Sequence, residues 1–370
     1  MSTSKTCRWG ILGTANIAQK NWQAIRNAGN ALLSAVASRS VERAQQFIDG
    51  CQSTVPHYPA PRAIGSYEAM IAATDIDAIY IPLPTGIRKE WVIKAAQAGK
   101  HVLVEKPVGC NAADVGEMIA ACTRSNVQFM DGVMFMHSER LKPLRDVLDD
   151  GESVGRIRRI SSAFSFCAPD EWVNSNIRAS GELEPLGCLG DLGWYTIRFT
   201  LFALKYQMPL RVSGRMLTKA RRPDSQSDVP MEFSAELFFD HGVSATFYNS
   251  FITEKQQWAN VSGTKGLLTL SDFVLPYFGS ESAFEVHNDV FQQVGCQFDM
   301  EGHTRRVAVR ESSNNAPTAQ ETNLFRKFSE LALSGKPDNF WAEIALKTQQ
   351  VMDACMESAR QDGKVVELPR

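Results

Sequence analysis

The sequence has 370 residues, of which 44% are hydrophobic and 22% charged, so it is long enough for two globular domains with separate cores. Its 39 Lys and Arg residues balance 41 Asp and Glu residues, and the formal charge of −2 argues against a nucleic-acid partner. No apolar run is long enough to span a membrane, and the polar residues 1–5 are unlike a signal peptide. The eight cysteines form no C-x-x-C pair and no cluster with histidine, so we expect reduced thiols, no metal site and a cytoplasmic location.

The first third of the sequence alternates apolar runs with helical patterns. The apolar runs predict strands at 9–12, 32–37, 78–81, 101–104 and 127–130. Helices are predicted at 17–28, 41–47, 67–71 (capped by Ser66), 90–98 and 112–122. This alternation favours parallel βαβ units with a helix layer on each face of the sheet. Because ligands bind beyond the carboxyl ends of such strands, each strand end is a candidate wall of a binding site.

The second half of the sequence changes to a strand-rich pattern. Strands are predicted at 157–166, 233–239, 243–248, 258–262 and 266–270, with turns at Asp240-His241-Gly242 and Lys265-Gly266. Long strands joined by short turns favour one open antiparallel sheet. Residues 301–318 are polar and predict a long loop, and two helices are predicted at 319–334 and 340–360.

The end of the first strand carries a phosphate-binding pattern. Gly13-x-Ala15-x-x-Ala18 follows the dinucleotide spacing G-x-G-x-x-G/A, with Ala15 in place of the second glycine. A strand that turns into a helix here presents free backbone N–H groups and the positive end of the helix dipole. The pattern therefore predicts a pyrophosphate site formed by Gly13, Thr14, Ala15, Asn16 and Ile17. An ordinary strand–turn–helix is the alternative.

The end of the second strand indicates which cofactor is used. NAD-specific folds place an acidic residue here, whereas this sequence has Ser38 and Arg39, followed by Ser40 and Arg43. Guanidinium and hydroxyl groups suit a 2′-phosphate, so NADP(H) is predicted, with NAD(H) as the weaker choice. The alternative is a solvated helix N-terminus capped by Ser40.

Two further motifs carry groups that can hold or move a proton. Glu105-Lys106-Pro107 follows the strand at 101–104, so Lys106 stands at the carboxyl edge of the sheet, where a partly desolvated amine can act in catalysis. A lysine that merely extends to solvent is the alternative. If a helix begins near Asp191, then Asp191 and Tyr195 share one of its faces and form a candidate proton-transfer pair. A helix with an N-terminal Asp and a core Tyr would explain the same pattern.

Together these motifs resemble the Gfo/Idh/MocA family, named for glucose–fructose oxidoreductase and inositol dehydrogenase. The resemblance rests on the Gly13 turn, Ile81-Pro82-Leu83-Pro84, the run His101 to Pro107, and Asp191-x-Gly193-x-Tyr195, in this order and spacing. It implies an α/β protein with a Rossmann NAD(P)-binding domain at 1–130. A C-terminal α+β domain with a large, mainly antiparallel sheet would follow at 131–370, its last helix packing back on the first domain. Most members oxidise or reduce a sugar, polyol or cyclic diol.

The resemblance also implies roles for single residues. Tyr195 would exchange a proton with the substrate oxygen, Lys106 would lower the pKa of Tyr195 by its charge, and Asp191 would orient a neighbouring hydroxyl. Lys106 acting directly as the base remains an alternative. Ser38 and Arg39 match the adenosine-phosphate contacts of NADP-using members such as xylose and dihydrodiol dehydrogenases. The residues expected to line the rest of the cofactor are Pro82, Leu83, Pro84, Thr85, Arg88, Glu105 and Lys106.

Three residues depart from the family pattern. Thr85 and Arg88 stand where many members have Asn and His, and Ala15 replaces a glycine. Weak candidates for substrate contacts are Trp172, Arg178 and Trp194, with core packing and a surface ion pair as alternatives. A homodimer or larger homo-oligomer is expected through the C-terminal sheet, where Phe233, Leu237 and Phe239 would lie on one side and Ala235 and Phe238 nearer the other. A dinucleotide-binding sensor without turnover is the alternative function.

Overall fold

The computed structural model describes residues 5–169 and 171–369. The strands are β1 (Cys7–Leu12), β2 (Ala31–Ala37), β3 (Arg62–Ile64), β4 (Ala78–Ile81), β5 (His101–Val104), β6 (Phe129–Asp131), β7 (Ile157–Cys167), β8 (Arg211–Ala220), β9 (Val229–Phe238), β10 (Ser244–Ser250), β11 (Ile252–Gly263), β12 (Leu267–Leu270), β13 (Ser282–His287), β14 (Val290–Val294), β15 (Gln297–Glu301), β16 (Thr304–Val309) and β17 (Val366–Glu367). The helices are α1 (Asn16–Asn27), α2 (Val41–Gln52), α3 (Tyr67–Ala72), α4 (Thr85–Gln97), α5 (Ala112–Arg124), α6 (Leu141–Asp149), α7 (Trp172–Ser175), α8 (Gly187–Asp191), α9 (Gly193–Ala203), α10 (Gln320–Ser334) and α11 (Asn339–Arg360).

The chain forms two compact units that are each discontinuous in sequence. The first contains the residues up to 137 together with 182–185 and 314–350, and the second contains 138–181, 186–313 and the residues from 351 onward. The sequence predicted one boundary at residue 130, whereas the chain passes between the units several times. Helix α11 accordingly contributes its residues up to 350 to the first unit and the rest to the second.

The first unit is built on a parallel sheet of six strands in the order β3-β2-β1-β4-β5-β6. The five strands predicted in this region are confirmed. Each is an apolar run that is largely buried, as expected for a parallel sheet with helices on both faces. Strand β3 was not predicted, since it has only three residues and begins with the exposed Arg62. Helix α4 begins at Thr85 rather than at Glu90, although Gly86 in its first turn has low helix propensity.

Helix α10 explains why residues 314–350 belong to the first unit. Trp9 of β1 is fully buried, and its ring lies 5.0 Å from that of Phe325 and 4.9 Å from that of Phe328, both on α10. The Trp9 indole N–H donates to Ser329 Oγ at 3.0 Å, so the polar tip of this large side chain is also satisfied. The helix predicted at 319–334 is confirmed, and it belongs to the core of the first unit rather than to a C-terminal domain at 131–370.

The second unit is built on a sheet of nine strands in the order β16-β13-β12-β11-β7-β10-β9-β8-β17. All neighbouring pairs are antiparallel except β10 and β7, which confirms the predicted large, mainly antiparallel sheet. Helix α9 packs against β7 and β10. Phe233, Ala235 and Leu237 are all buried at alternate positions of β9, so Ala235 shares their face and the predicted grouping of Ala235 with Phe238 is wrong.

Two other predictions for the second half are wrong. Residues 304–309 do not belong to a loop but form β16, which pairs with β13 at the edge of the sheet. Its side chains are mostly exposed and include Arg305 and Arg306, so the strand lacks an apolar run. The helix expected to begin near Asp191 is interrupted there, because α8 ends at Asp191 and α9 begins at Gly193.

No helix in the described ranges 5–169 and 171–369 is both long and apolar enough to cross a membrane.

Candidate functional site

The turn after β1 can accept a phosphate group. Gly13 has a φ of +116°, and a Cβ at this position would lie 2.9 Å from Leu83 Cδ2, so only glycine fits. Ala15 is the N-cap of α1 in an extended conformation, and its side chain makes no cap hydrogen bond to the first N–H groups of the helix. The first turn of α1 also contains no acidic residue. Thr14 and Ala15 are half-buried and Asn16 and Ile17 are exposed, so the predicted turn residues fit a dinucleotide pyrophosphate.

The residues that follow β2 differ in their exposure to solvent. Ser38 is buried and its N–H donates to Ile64 O at 3.0 Å, which fixes the backbone beyond β2. Arg39 and Arg43 are exposed. Ser40 Oγ accepts a hydrogen bond from Arg43 N at 3.3 Å and caps α2, as the alternative interpretation of this segment predicted. This cap uses the backbone of Arg43 and neither of the two guanidinium groups. Two exposed guanidinium groups at this edge of the sheet suit a 2′-phosphate.

Tyr67 joins this group although the sequence analysis did not select it. A Cβ added to Gly13 would lie 3.9 Å from the Tyr67 hydroxyl, so this hydroxyl is close to the turn after β1. The positive charges of Arg39 and Arg43 also act on the Tyr67 hydroxyl. Burial raises the pKa of Tyr67, and the two arginines partly offset this effect. Tyr67 begins the helix predicted at 67–71, but because β3 was not predicted, the sequence pattern did not indicate that this helix starts beside the end of β2.

The segment after β4 is held by contacts within the first unit. Leu83 is buried and faces Gly13, as the close approach of its Cδ2 atom shows. Pro82 is buried and Pro84 is half-buried. Thr85 is 2% exposed, and its N–H and Oγ1–H donate to the two Glu184 carboxylate oxygens at 3.0 and 2.6 Å. The Thr85 side chain is therefore engaged by the protein rather than directed to an open site.

Arg88 is also engaged by the protein. It is 3% exposed and donates to the main-chain oxygens of Leu83, Glu105 and Pro107. Arg88 was predicted to be one of the residues that line the cofactor. Its guanidinium instead donates to carbonyl groups of the two loops that follow β4 and β5. We therefore do not assign Arg88 a direct cofactor contact.

The Glu105-Lys106-Pro107 segment follows β5, and its Lys106–Pro107 peptide bond is cis. The buried Glu105 carboxylate accepts from Tyr80 Oη at 2.5 Å and from Lys106 N at 3.2 Å. Asn21 Nδ2 in turn donates to Tyr80 Oη at 2.7 Å. Burial, reinforced by the Glu105 charge, raises the pKa of Tyr80 well above its usual value, so Tyr80 is a neutral donor. This network fixes the backbone at Lys106, whose side chain is half-buried.

The second unit places the remaining candidate residues around α8 and α9. Arg178 Nε donates to Asp191 Oδ2 at 2.7 Å, so Arg178 orients the Asp191 carboxylate in an ion pair. Tyr195 is 4% exposed, and its ring packs edge-to-face against Phe164 at 5.5 Å. Leu192, between α8 and α9, keeps a right-handed conformation with φ −105° and ψ −37°. The backbone from Asp191 to Tyr195 therefore forms one distorted helical turn.

The two tryptophans proposed as weak substrate contacts differ in position. Trp194 is fully buried and lies 5.8 Å from the Arg198 guanidinium, which is the core packing named as its alternative. We do not retain Trp194 as a substrate contact. Trp172 is half-buried, with its ring 5.1 Å from that of Phe251, and remains a candidate.

The structure thus gathers the predicted residues into two groups, one in each unit. In the first, the ends of β1, β2, β4 and β5 bring together the Gly13 turn, the arginines after β2, Leu83 and Lys106. In the second, Arg178, Asp191 and Tyr195 lie on or beside α8 and α9. The first group has the chemistry of a dinucleotide site and the second that of a proton-handling site.

Comparison with known families gives two matches along the chain. Residues 7–133 match an oxidoreductase family model described as an NAD-binding Rossmann fold. Residues 142–269 match the model of the GFO/IDH/MocA C-terminal domain. These ranges cover the sheet of the first unit and, in the second, strands β7 to β11 with part of β12.

Curated relatives and solved structures agree with these matches. A D-xylose 1-dehydrogenase (NADP(+)) from Haloferax volcanii is 30% identical over 97% of this chain and 99% of its own length. A trans-1,2-dihydrobenzene-1,2-diol dehydrogenase from Mus musculus is 30% identical over 73% of this chain and 76% of its own length. The crystal structure of a 3-ketoreductase from Actinomadura kijaniata, in complex with NADP and TDP-benzene, superposes with a TM-score of 0.78 at 23% identity, covering 96% of this chain and 98% of its own.

Proposed function

Because the chain belongs to the Gfo/Idh/MocA family of oxidoreductases, we propose that it transfers a hydride between NADP(H) and a carbon that bears a hydroxyl or carbonyl group. The substrate class is a sugar, polyol or cyclic diol, as the names of the xylose and dihydrodiol dehydrogenase relatives support. One observation carries the proposal: the parallel sheet that ends in the Gly13 turn and Arg39 also ends in Lys106. A phosphate-binding turn and a candidate catalytic amine thus share one edge of one sheet.

The residues proposed to hold the cofactor divide by the part of the dinucleotide that each suits. Residues 13–17 hold the pyrophosphate through backbone N–H groups. Ser38, Arg39, Arg43 and Tyr67 surround the 2′-phosphate and make NADP(H) the preferred form over NAD(H). Leu83 and Pro84 line the path toward Lys106, which follows β5. When bound, the nicotinamide supplies or accepts the hydride.

The protein residues handle the proton that accompanies the hydride. Tyr195 exchanges this proton with the substrate oxygen, and the positive charge of Lys106 favours the deprotonated form of Tyr195. Asp191, oriented by Arg178, accepts a hydrogen bond from a neighbouring substrate hydroxyl. In the alternative form of this mechanism, Lys106 takes the proton itself.

Turnover with a substrate panel tests the proposal. Purified protein is mixed with NADPH or NADP and with separate aldoses, polyols, cyclic diols and dicarbonyls, and the absorbance of the reduced nicotinamide is followed. Turnover with one of these classes is the expected result. Tight NADPH binding without turnover on any of them would favour the sensor function and contradict the proposed enzyme.

The position of Tyr67 predicts a measurable contribution to NADPH affinity. Tyr67→Phe should weaken NADPH binding by about 0.5–1.5 kcal/mol, the usual net value of one hydrogen bond, and should leave NADH binding unchanged. Fluorescence titration with both cofactors measures the effect. Tyr58→Phe is the matched control, because Tyr58 belongs to the same unit and is 84% exposed. Equal losses for NADPH and NADH would show that Tyr67 does not contact the 2′-phosphate.

We also propose that two copies associate through the C-terminal sheet. On the face opposite α9, Tyr248 and Trp258 both flank Ala163 of β7 and are half-exposed. The hairpin of β14 and β15 adds apolar side chains that are 41–68% exposed, namely Val290, Phe291, Val294, Phe298 and Met300. A two-stranded hairpin is barely stable alone, and exposed apolar side chains of this kind are typical of an interface.

Light scattering at micromolar concentration should therefore give at least twice the 41.0 kDa mass of one chain. Trp258→Arg should shift the mass toward that of a single chain, because a charge would have to be buried in the interface. Tyr58→Arg, which places the same charge on the first unit, should leave the mass unchanged. A monomeric wild-type protein would rule out the proposed interface.

The cysteines are consistent with a protein that works in a reducing compartment, and we propose the cytoplasm. All eight are free thiols, and five of them are buried. Burial raises the pKa of Cys7 and that of Cys122 to about 12, so these two thiols stay protonated and unreactive at neutral pH.

A further inference from the structure

The buried guanidinium of Arg88 connects two loops at the carboxyl edge of the first unit's sheet. Its Nε donates to Leu83 O at 2.9 Å, and its Nη1 donates to Glu105 O at 2.7 Å and also to Pro107 O. Leu83 follows β4, whereas Glu105 and Pro107 follow β5, and these two strands are parallel neighbours. The planar guanidinium carries its donors in a fixed geometry, so it sets the separation of both loops at once.

The segment 182–185 supplies the negative charge that a buried cation needs. Burial lowers the pKa of Arg88, and the carboxylates of Glu184 and Glu105 oppose this shift. Glu184 also accepts from Thr85 N at 3.0 Å and from Thr85 Oγ1 at 2.6 Å, which caps the first turn of α4. An acidic group is favourable at this end of a helix, where the N–H groups are unpaired.

Gly86 allows the segment to approach α4 so closely. Its N–H donates to Leu183 O at 2.8 Å, and a Cβ at this position would lie 2.0 Å from Glu182 O. No other residue type fits without moving the backbone of one segment. Glu184 is thus held against α4 by backbone contacts on its N-terminal side as well as by its own carboxylate.

Thr85 and Arg88 are two of the positions at which the sequence departs from the pattern that the Gfo/Idh/MocA resemblance provides. The structure gives both departures one explanation, because Thr85 bonds to Glu184 and Arg88 is stabilised by its charge. The two residues and Glu184 therefore act as one group, which is here called the Arg88 clamp.

We propose that Arg88 and Glu184 are positioning residues for the proposed hydride transfer, on which this inference rests. The clamp holds Leu83 against the Gly13 turn and fixes the two carbonyl groups that flank Lys106 in sequence. It thereby sets the backbone from which the Lys106 amine reaches the substrate oxygen. The clamp does not contact the 2′-phosphate end of the cofactor site, so it affects NADPH and NADH equally.

Arg88→Met tests the proposal, because it keeps the apolar stem and removes every donor. We expect kcat to fall by up to about 10²-fold with NADPH and with NADH alike, the scale of a 1 Å misplacement of a catalytic group. The alkaline limb of the pH–rate profile should shift, whereas the ratio of NADPH to NADH affinity should not change. Arg88→Lys should recover part of the loss, since an ammonium group can reach one or two of the three carbonyls.

Hydrogen exchange of the cofactor-free protein gives a readout that does not depend on activity. Arg88→Met should speed the exchange of the amides in 82–86 and 105–110, because the loops lose their shared anchor. Glu184→Gln keeps an acceptor for Thr85 and removes only the charge, so it should produce a smaller change at the same amides. This variant keeps the test available if Arg88→Met fails to fold.

Arg140 provides a matched control in the second unit. It is 2% exposed and donates to Asp272 Oδ1 at 2.5 Å and to two main-chain carbonyls. Arg140→Met should lower the melting temperature and leave the kcat of the folded enzyme and its pH profile unchanged. If Arg88→Met and Arg88→Lys behave in the same way, the clamp is only structural and the proposal is overturned. A wild-type enzyme without turnover would instead refute the proposed function, and the exchange and NADPH-binding measurements would still decide whether the clamp orders the loops.

Discussion

Tyr195→Phe should lower turnover by ~10²–10⁴-fold and leave NADPH affinity unchanged, as expected when a general acid–base group is lost. Tyr195 is 4% exposed, and its ring packs against Phe164, so phenylalanine preserves the packing and removes only the hydroxyl. Stopped-flow or steady-state kinetics on the best substrate of the panel measures the change. Tyr277→Phe is the control in the same unit, because Tyr277 is 61% exposed.

Lys106→Met should cause a loss of similar size and should also shift the alkaline limb of the pH–rate profile. The two losses should not add in the double variant, because residues that act on one proton behave as a unit. Lys89→Met is the control, since Lys89 also belongs to the first unit and forms an ion pair with Asp114.

Two other outcomes would change which residue is assigned the proton transfer. An active Tyr195→Phe enzyme with an unchanged pH profile would exclude Tyr195 from the mechanism and leave Lys106 as the only proton carrier. Full turnover in both single variants would show that the catalytic assignment inferred from the family resemblance is wrong for this chain.

The features predicted correctly from sequence are those that depend on neighbouring residues. The Gly13 turn follows directly from an apolar strand that ends in glycine before a helical pattern, and the structure confirms the positive φ that requires it. Strands β4 and β5 were equally clear, because each is a short apolar run that ends before a proline. For the same reason, Lys106 could be placed at the edge of the sheet.

The features that were missed depend on residues that are distant in sequence. Thr85 and Glu184 are separated by 99 positions, and no local pattern indicates that they would meet. Arg88 was therefore predicted to line the cofactor, although its guanidinium is held by three backbone carbonyls. Helix α8 was missed for a related reason, since Gly187 and Gly190 have low helix propensity and their burial against other elements overrides it.

Arg39→Ala should weaken NADPH binding by roughly 1.5–3 kcal/mol, the scale of a hydrogen bond to a charged group, and leave NADH binding nearly unchanged. Arg39 is exposed after the end of β2, where the sequence has no acidic residue that could bind the ribose hydroxyls of NAD. Because the side chain is not part of the core, the substitution should not lower the melting temperature. Both cofactors are titrated against wild type and variant by fluorescence or calorimetry.

Arg62→Ala is the matched control for this experiment. Arg62 is an exposed arginine of the same unit, where it is the first residue of β3 and pairs with Asp75. Its loss should leave both affinities unchanged, since it removes an equal charge from another position. The effect of Arg39→Ala should also diminish at high salt, because an exposed cation and a phosphate are screened. Equal losses of NADPH and NADH affinity in Arg39→Ala would mean that this residue does not read the 2′-phosphate, and the NADP(H) preference would then need another source.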